Sequence, residues 1–375
     1  NSNIAILKTF VKEGSGVDIV SGGELYRALK AGANPNKIVY SGVGKRADEI
    51  EYALKVGILM FNVESPEELR ALNESARRLK KKASFAIRVN PDVEPKTHPY
   101  ISTGLKKNKF GIEANKAVRE YVYAKNNLKN LIPLGVDCHI GSQITQLSPF
   151  VDALKKTKNI IALLRSEGID VQYLDIGGGL GITYKDEDAP HPSKYGKAVM
   201  DETKGLGVTL IFEPGRVMVG NAGILVTKVL YTKQGTEKNF IIVDAAMNDL
   251  ARPSLYGSYH AIKAVRKTAS PIPLLVKSPS SPPLEKGDEG GFEIVADVVG
   301  PICESGDFFA KDRPLPFFQS GDLMALMSAG AYGFSMSSNY NSRPRAAEVM
   351  VKGNKFSVIR ERESYKDLIK GEKLV

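Results

Sequence analysis

The sequence predicts an α/β chain in two parts: a parallel (β/α)8-type barrel over residues 1–218, then a β-rich domain over 219–375. Three observations predict it. Short apolar runs alternate with helix-period patterns as far as about residue 215, the mark of βα units around a parallel sheet. Beyond about residue 218 the helical patterns stop, and strand-like runs follow one another between turns such as Lys352-Gly353-Asn354. The 375 residues suffice for two cores, and no run of about 18 apolar residues offers a membrane span.

Taken in order, barrel strands are expected at 17–20, 38–41, 59–63, 84–90, 134–139, 171–176 and 209–213. Helical patterns lie between them, among them 47–56, 66–80 and 150–167. The helix after Val63 has a readable start, with Ser65 as N-cap, Pro66 at the first helical position and Glu68 completing a capping box. Seven strands are expected where a closed barrel has eight. In the second part, strands are expected at 224–231, 240–244, 292–300, 323–328, 348–351 and 355–360. The stretch 268–291 is rich in Pro, Ser and charge and reads as an exposed loop insertion.

Composition narrows the function classes. A hydrophobic share of 42% with 25% charge is that of an ordinary globular protein. Two cysteines, Cys138 and Cys303, give no disulfide framework and point to a reducing cytoplasm. The net charge of +10 invites a nucleic-acid or membrane reading, but the lysines are spread along helical patterns without a recognition motif. The chain opens Asn1-Ser2-Asn3-Ile4, with neither Met nor a signal-type run, so a processed chain or a fragment is expected. No spacing suggests a metal site.

Four clusters carry candidate chemistry, each where a strand runs out. Asp175-Ile176-Gly177-Gly178-Gly179-Leu180-Gly181 lets backbone N–H groups approach an anion, although a tight turn explains it equally. Glu213-Pro214-Gly215-Arg216 offers a carboxylate to a pyridinium N–H, or a structural ion pair. His139-Ile140-Gly141-Ser142-Gln143 sets an imidazole beside a hydroxyl, which suits ring stacking and phosphate donation, or a satisfied core histidine. Cys303-Glu304-Ser305-Gly306-Asp307 is either a reactive loop or a plain turn at Ser305-Gly306.

Together these clusters resemble the fold type III pyridoxal-phosphate (PLP) decarboxylases, whose barrel is alanine-racemase-like, and most closely the diaminopimelate decarboxylase family. The resemblance spans nearly the whole chain. It runs from Gly14-Ser15-Gly16-Val17-Asp18-Ile19-Val20-Ser21-Gly22-Gly23-Glu24-Leu25, through Asn108-Lys109-Phe110-Gly111-Ile112 and Met247-Asn248-Asp249-Leu250-Ala251-Arg252-Pro253, to Ala329-Gly330-Ala331-Tyr332-Gly333 and Asn339-Tyr340-Asn341-Ser342-Arg343-Pro344-Arg345. It implies PLP as cofactor and decarboxylation of meso-2,6-diaminopimelate to L-lysine. His139 would stack on the ring and Glu213 would pair with its nitrogen. Ser142, Gly177, Gly178, Gly179, Gly215 and Tyr332 would hold the phosphate. Asp18 would lie near the Schiff base. Arg216, also beside the cofactor, would contact substrate together with Arg252, Tyr256, Glu304 and Tyr332. Cys303 would protonate the product carbon from a neighbouring subunit, which implies a homodimer with shared sites.

The chain departs from that pattern in two respects, the insertion at 268–291 ahead of the Cys303 loop and the cofactor lysine. The family's cofactor lysine lies in a Tyr-Ala-x-Lys-Ala-Asn strand, and Asn1 resembles the Asn of that motif. The lysine and its strand are therefore expected ahead of Asn1, and the chain alone is expected to be inactive. Two other readings stand beside this one. A PLP decarboxylase of another basic amino acid or a carboxylated polyamine would favour an acid in place of Arg252. A catalytically dead regulatory homologue need not keep Glu213, Arg216, Cys303 and Glu304 together.

Overall fold

The computed structural model describes residues 1–94, 109–265, 285–286 and 292–375. The chain divides into two compact units. One comprises Ser2–Ile182 and Asp188–Val217, and the other Asn1, Thr183–Glu187 and Met218–Val375.

The first unit repeats strand and helix. Its strands are β1 (Val17–Ile19), β2 (Ile38–Tyr40), β3 (Met60–Val63), β4 (Ala83–Asn90), β5 (Ile112–Glu113), β6 (Leu131–Asp137), β7 (Tyr173–Asp175) and β8 (Thr209–Ile211). Helices α1 (Ile4–Lys12), α2 (Gly22–Lys30), α3 (Ala47–Val56), α4 (Pro66–Arg78), α5 (Ala114–Asn127), α6 (Ser148–Ser166) and α7 (Pro192–Thr203) alternate with them, and α8 (Arg216–Val219) follows β8. All seven expected strands are present, paired parallel in the order β1-β2-β3-β4-β6-β7-β8, with β5 added beside β4.

The strands alternate as the two-residue period requires. Ile38, Tyr40, Phe61, Val63, Phe85, Ile87, Val136 and Leu174 pack outward with the helices in one core. Val39, Met60 and Ala86 form a second, smaller core on the other face, with Leu134, Tyr173 and Ile211 packed against it. Helices supply one apolar stripe each. In α4, Leu69, Leu72 and Ala76 are buried at helical spacing. Tyr121 of α5 pins two strands: its hydroxyl accepts from Ile87 N–H at 2.7 Å and donates to the Gly135 carbonyl at 2.5 Å.

The start of α4 corrects one expectation. Ser65 Oγ accepts from Glu68 N–H at 3.1 Å, as an N-cap should. The Glu68 carboxylate does not return to Ser65. It accepts from Glu64 N–H at 2.9 Å and from the buried Lys45 ammonium at 2.7 Å, because a buried cation needs a counter-charge more than a capped helix needs a second cap.

The second unit is mostly β. Strands β9 (Leu225–Gln234), β10 (Asn239–Val243), β11 (Ile262–Ala264), β12 (Glu285–Lys286), β13 (Phe292–Val299), β14 (Phe308–Pro316) and β15 (Leu323–Leu326) form one sheet. Strands β16 (Glu348–Lys352) and β17 (Lys355–Arg360) form a hairpin. Short helices α9 (Arg252–Tyr256) and α10 (Tyr365–Leu368) punctuate them. Val229, Ile241, Val298, Phe309 and Met324 lie at the core of the sheet. Strand β14 is absent from the sequence reading. Its Pro314 and Pro316 argue against a strand, and the structure accommodates them because β14 pairs with β13 alone. The stretch expected as a loop insertion, 268–291, lies outside the described residues apart from β12. So does Asn108.

Candidate active site

One residue above the smaller core, the same strand face turns polar. Ser41 stands two residues after Val39, Asn62 after Met60, Arg88 after Ala86, Asp137 after Gly135, Asp175 after Tyr173, and Glu213 after Ile211. Parallel register sets Arg88 opposite Asp137 and Asp137 opposite Asp175, while Asn62 stands opposite Ala86 and Asp175 opposite Ile211. Hydrogen bonds then join them around the rim. Asn62 donates to Ser41 Oγ at 3.1 Å and to Asp175 Oδ2 at 3.0 Å, and Ser41 donates to Glu213 Oε1 at 3.4 Å. Arg88 pairs with Glu64 at 3.1 Å in a buried setting.

Crowding shifts the acids upward. Burial first, then repulsion from Asp175, Asp18 and Asp137, raises the Glu213 carboxyl well above its usual range. Asp175 is raised too, by burial, against the hydrogen bonds it accepts from Gly177 N–H and the Asn62 amide. Asp137 is raised well above the ordinary value by burial and then by Asp175, with Arg88 opposing. Asp18 is raised by the protein packed around it and by Asp175, to a degree limited by the water that still reaches its side chain.

Two loops cover the rim. The His139 imidazole is half-buried, and Gly178 N–H donates to its Nδ1 at 3.1 Å, which leaves the ring proton on Nε2. Burial, with Arg88 nearby, pushes its pKa down to about 3, so the ring is neutral at physiological pH. The glycine turn is required by this packing. A Cβ on Gly177 would lie 2.6 Å from His139 Nδ1, and one on Gly178 would strike the Glu213 carbonyl oxygen. Gln143 locks the two loops, its amide exchanging hydrogen bonds with the backbone of Ile182 at 2.6 and 3.1 Å. Arg216, buried, donates to Ser142 Oγ at 3.1 Å. Gly215 is exposed, and an added Cβ there would meet open space.

In the second unit, Arg252 begins α9 and is buried, and Tyr256 ends the same helix half-buried. Ser254 Oγ donates to the Gly306 carbonyl at 2.6 Å, tying α9 to the loop that carries Cys303 and Glu304. That loop is shaped by Asp307, which accepts from Met247 N–H and Ile302 N–H, each at 2.7 Å. Cys303 is exposed. Glu304 is exposed too and accepts from the Tyr340 hydroxyl at 3.0 Å. Tyr332 is 42% exposed and stands at φ 56°, in a turn where neighbouring Gly330 lies against the Val219 carbonyl.

A polar rim at the C-terminal ends of parallel strands, closed by a glycine turn and a neutral imidazole, belongs to a cofactor-dependent barrel enzyme. Residues 1–220 match the pyridoxal-binding domain of the pyridoxal-dependent decarboxylases, which gives the class. The diaminopimelate decarboxylase of Aquifex aeolicus is 50% identical over 366 residues, 97% of this chain and 82% of that protein. That of Pseudomonas aeruginosa is 50% identical over 377 residues, 100% of this chain and 85% of the relative. A crystal structure of the Helicobacter pylori diaminopimelate decarboxylase complexed with L-lysine superposes with a TM-score of 0.90 at 44% identity, covering 99% of this chain and 87% of that one. This chain belongs to the diaminopimelate decarboxylase family.

Asp18, His139, Ser142, Gly177, Gly178, Gly179, Glu213, Gly215 and Arg216 belong to the first unit, and Arg252, Tyr256, Cys303, Glu304 and Tyr332 to the second. Sequence reading missed Ser41, Asn62, Arg88, Asp137 and the part played by Asp307. A signal existed for several of them: Asn62, Arg88 and Asp137 are polar residues inside otherwise apolar runs of buried parallel strands.

Two outcomes follow from this geometry. Gly178→Ala is expected to destabilise the barrel by about 1–3 kcal/mol through overpacking against β8, whereas Gly215→Ala is expected to be neutral; equal urea midpoints for the two variants would contradict the packing described. The second concerns pH. Asp137 holds its proton more tightly folded than unfolded, so above about pH 4 the folded chain binds more protons and this residue's contribution to stability declines as pH rises. Asp137→Asn should therefore lessen the fall in urea midpoint between about pH 5 and about pH 8, and an unchanged or steeper fall counts against it.

Proposed function

We propose that this protein decarboxylates meso-2,6-diaminopimelate to L-lysine and CO2 with PLP, the last step of lysine biosynthesis. The observation that carries the reading is the rim itself: a raised carboxyl at Glu213, a neutral imidazole at His139 and a glycine turn at Gly177–Gly179, in a chain about half identical to diaminopimelate decarboxylases over nearly its whole length. The donor set fits the cofactor. A cluster of carboxyls short of positive charge suits a pyridinium N–H, and hydroxyl, guanidinium and backbone N–H groups suit a phosphate.

When bound, PLP supplies an electron sink for the pair left by the departing carboxylate. The chain's own groups do the rest. Glu213 would hold the proton on the ring nitrogen, with the Ser41 hydroxyl donating to Glu213 and the Asn62 amide holding Ser41. His139 supports the ring face and, being neutral, adds no competing charge. Ser142, Gly177, Gly178, Gly179, Gly215 and Arg216 would hold the phosphate. Asp18, with its raised pKa, keeps a proton near the reacting end. Arg252 grips the distal carboxylate, Glu304 the distal ammonium, and Tyr256 and Tyr332 complete the substrate contacts. Cys303 returns a proton to the carbon that lost CO2, acting on a neighbouring subunit's site in a homodimer.

The assay uses the full-length protein loaded with PLP. It is expected to release CO2 and L-lysine from meso-diaminopimelate. Arg252→Ala removes a charge-assisted pair worth roughly 1.5–3 kcal/mol, so kcat/KM should fall about 10- to 150-fold while PLP stays bound. Unchanged kcat/KM refutes the role of Arg252. Sedimentation equilibrium should give twice the mass of one chain, and a monomer at micromolar concentration removes the shared-site part.

A further inference from the structure

Arg252 sits in a more elaborate setting than an exposed cation needs, and every part of that setting lies in the second unit. Its Nη1 is 3.1 Å from His260 Nε2, its Nη2 donates to Ser258 Oγ at 3.2 Å, and its guanidinium lies 4.5 Å above the centre of the Tyr184 ring. His260 has no solvent exposure at all. Its Nδ1 is 2.8 Å from the Met327 carbonyl, and its ring meets Tyr184 edge-on at 5.5 Å and 77°.

The partners assign the ring's proton. A carbonyl only accepts, so Nδ1 carries the hydrogen. A guanidinium only donates, so Nε2 must present a lone pair. His260 is thus a neutral imidazole with both nitrogens committed, and it cannot turn without breaking one bond. Its own backbone is held as well, since Arg313 donates to the His260 carbonyl at 3.1 Å. A ring fixed in this way fixes the guanidinium plane between the Tyr184 face and the Ser258 hydroxyl.

We infer that His260 is a positioning residue for substrate recognition, holding the Arg252 fork in the plane that the distal carboxylate of the substrate meets. The inference rests on the reading of Arg252 given above. Its physical basis is preorganisation: a long cation already ordered loses less rotamer freedom on binding, and a bidentate pair tolerates little misalignment.

The product offers a clean test. Removing one carboxylate from diaminopimelate leaves the other, so L-lysine keeps the carboxylate assigned to Arg252, whereas 1,5-diaminopentane has none. Both ligands are titrated calorimetrically into the PLP-loaded protein used for the assay above. His260→Asn keeps a donor toward Met327 and withdraws the acceptor from Arg252. It should weaken L-lysine binding about 10-fold and the diamine by less than about 2-fold. His260→Gln places an amide oxygen near the Nε2 position and should restore lysine affinity to within about 3-fold of the parent.

Parental lysine affinity in His260→Asn overturns the inference, as does an equal loss for both ligands, the mark of a general structural defect. Arg252→Ala separates the two layers. If it leaves lysine affinity unchanged, the reading of Arg252 fails and takes the inference with it. If it weakens lysine while His260→Asn does not, only the part assigned to His260 fails. Should His260→Asn not fold, Ser258→Ala at its half-buried site carries the same comparison, with an expected lysine-selective loss of about 3-fold, and no such loss is a refutation.

Discussion

In the first unit the eight strands all pair parallel with their neighbours, so their carboxyl ends leave the sheet on one side. Everything chemical in this unit depends on that. The two-residue period carries one strand face from Val39, Met60 and Ala86 up to Ser41, Asn62 and Arg88, and register makes neighbours of residues far apart in sequence. Asn62 and Asp175 are 113 positions apart, and Ser41 and Glu213 are 172 apart, yet both pairs are hydrogen-bonded. A one-residue slip in any of these strands would send its polar residue outward into the helix-facing core.

The same geometry concentrates acid. Asp137, Asp175 and Glu213 crowd one rim, Asp18 joins them from a position that water reaches, and each carboxyl is raised. The strain is partly relieved by Arg88, by the Asn62 amide and by the N–H of Gly177 on Asp175. What remains favours a positively charged partner, which is how a rim that burdens the fold becomes useful to a cofactor. Stability given up at a site and recovered on ligand binding is a common exchange in enzymes.

The second unit solves a different problem. The residues proposed for recognition stand on short helices and loops, where nothing as regular as a sheet register places them. Buried polar anchors do the placing instead: Asp307 gathers the N–H groups of Met247 and Ile302, Ser254 ties α9 to the Cys303 loop, and His260 with Tyr184 sets Arg252. Each anchor is a group whose burial demands a partner, so each fixes geometry as well as contributing energy.

Periodicity alone determined the parallel strands, the change to β structure after about residue 218, and the helices beginning at Ala47 and Pro66, because apolar spacing is a local property of the chain. The glycine run, His139 and Glu213 were legible as chemistry because each ends a strand. Strand β14 was not legible, since its prolines are tolerable only at an edge, and edges exist only once strands have paired. Nor were the tasks of Asn62, Arg88, Asp137 and His260. A polar residue in an apolar run declares itself in sequence, but its partner is set by register and loop packing. Those arise when the whole sheet assembles, so the tertiary structure alone decided that Asn62 meets Asp175 and that His260 meets Arg252.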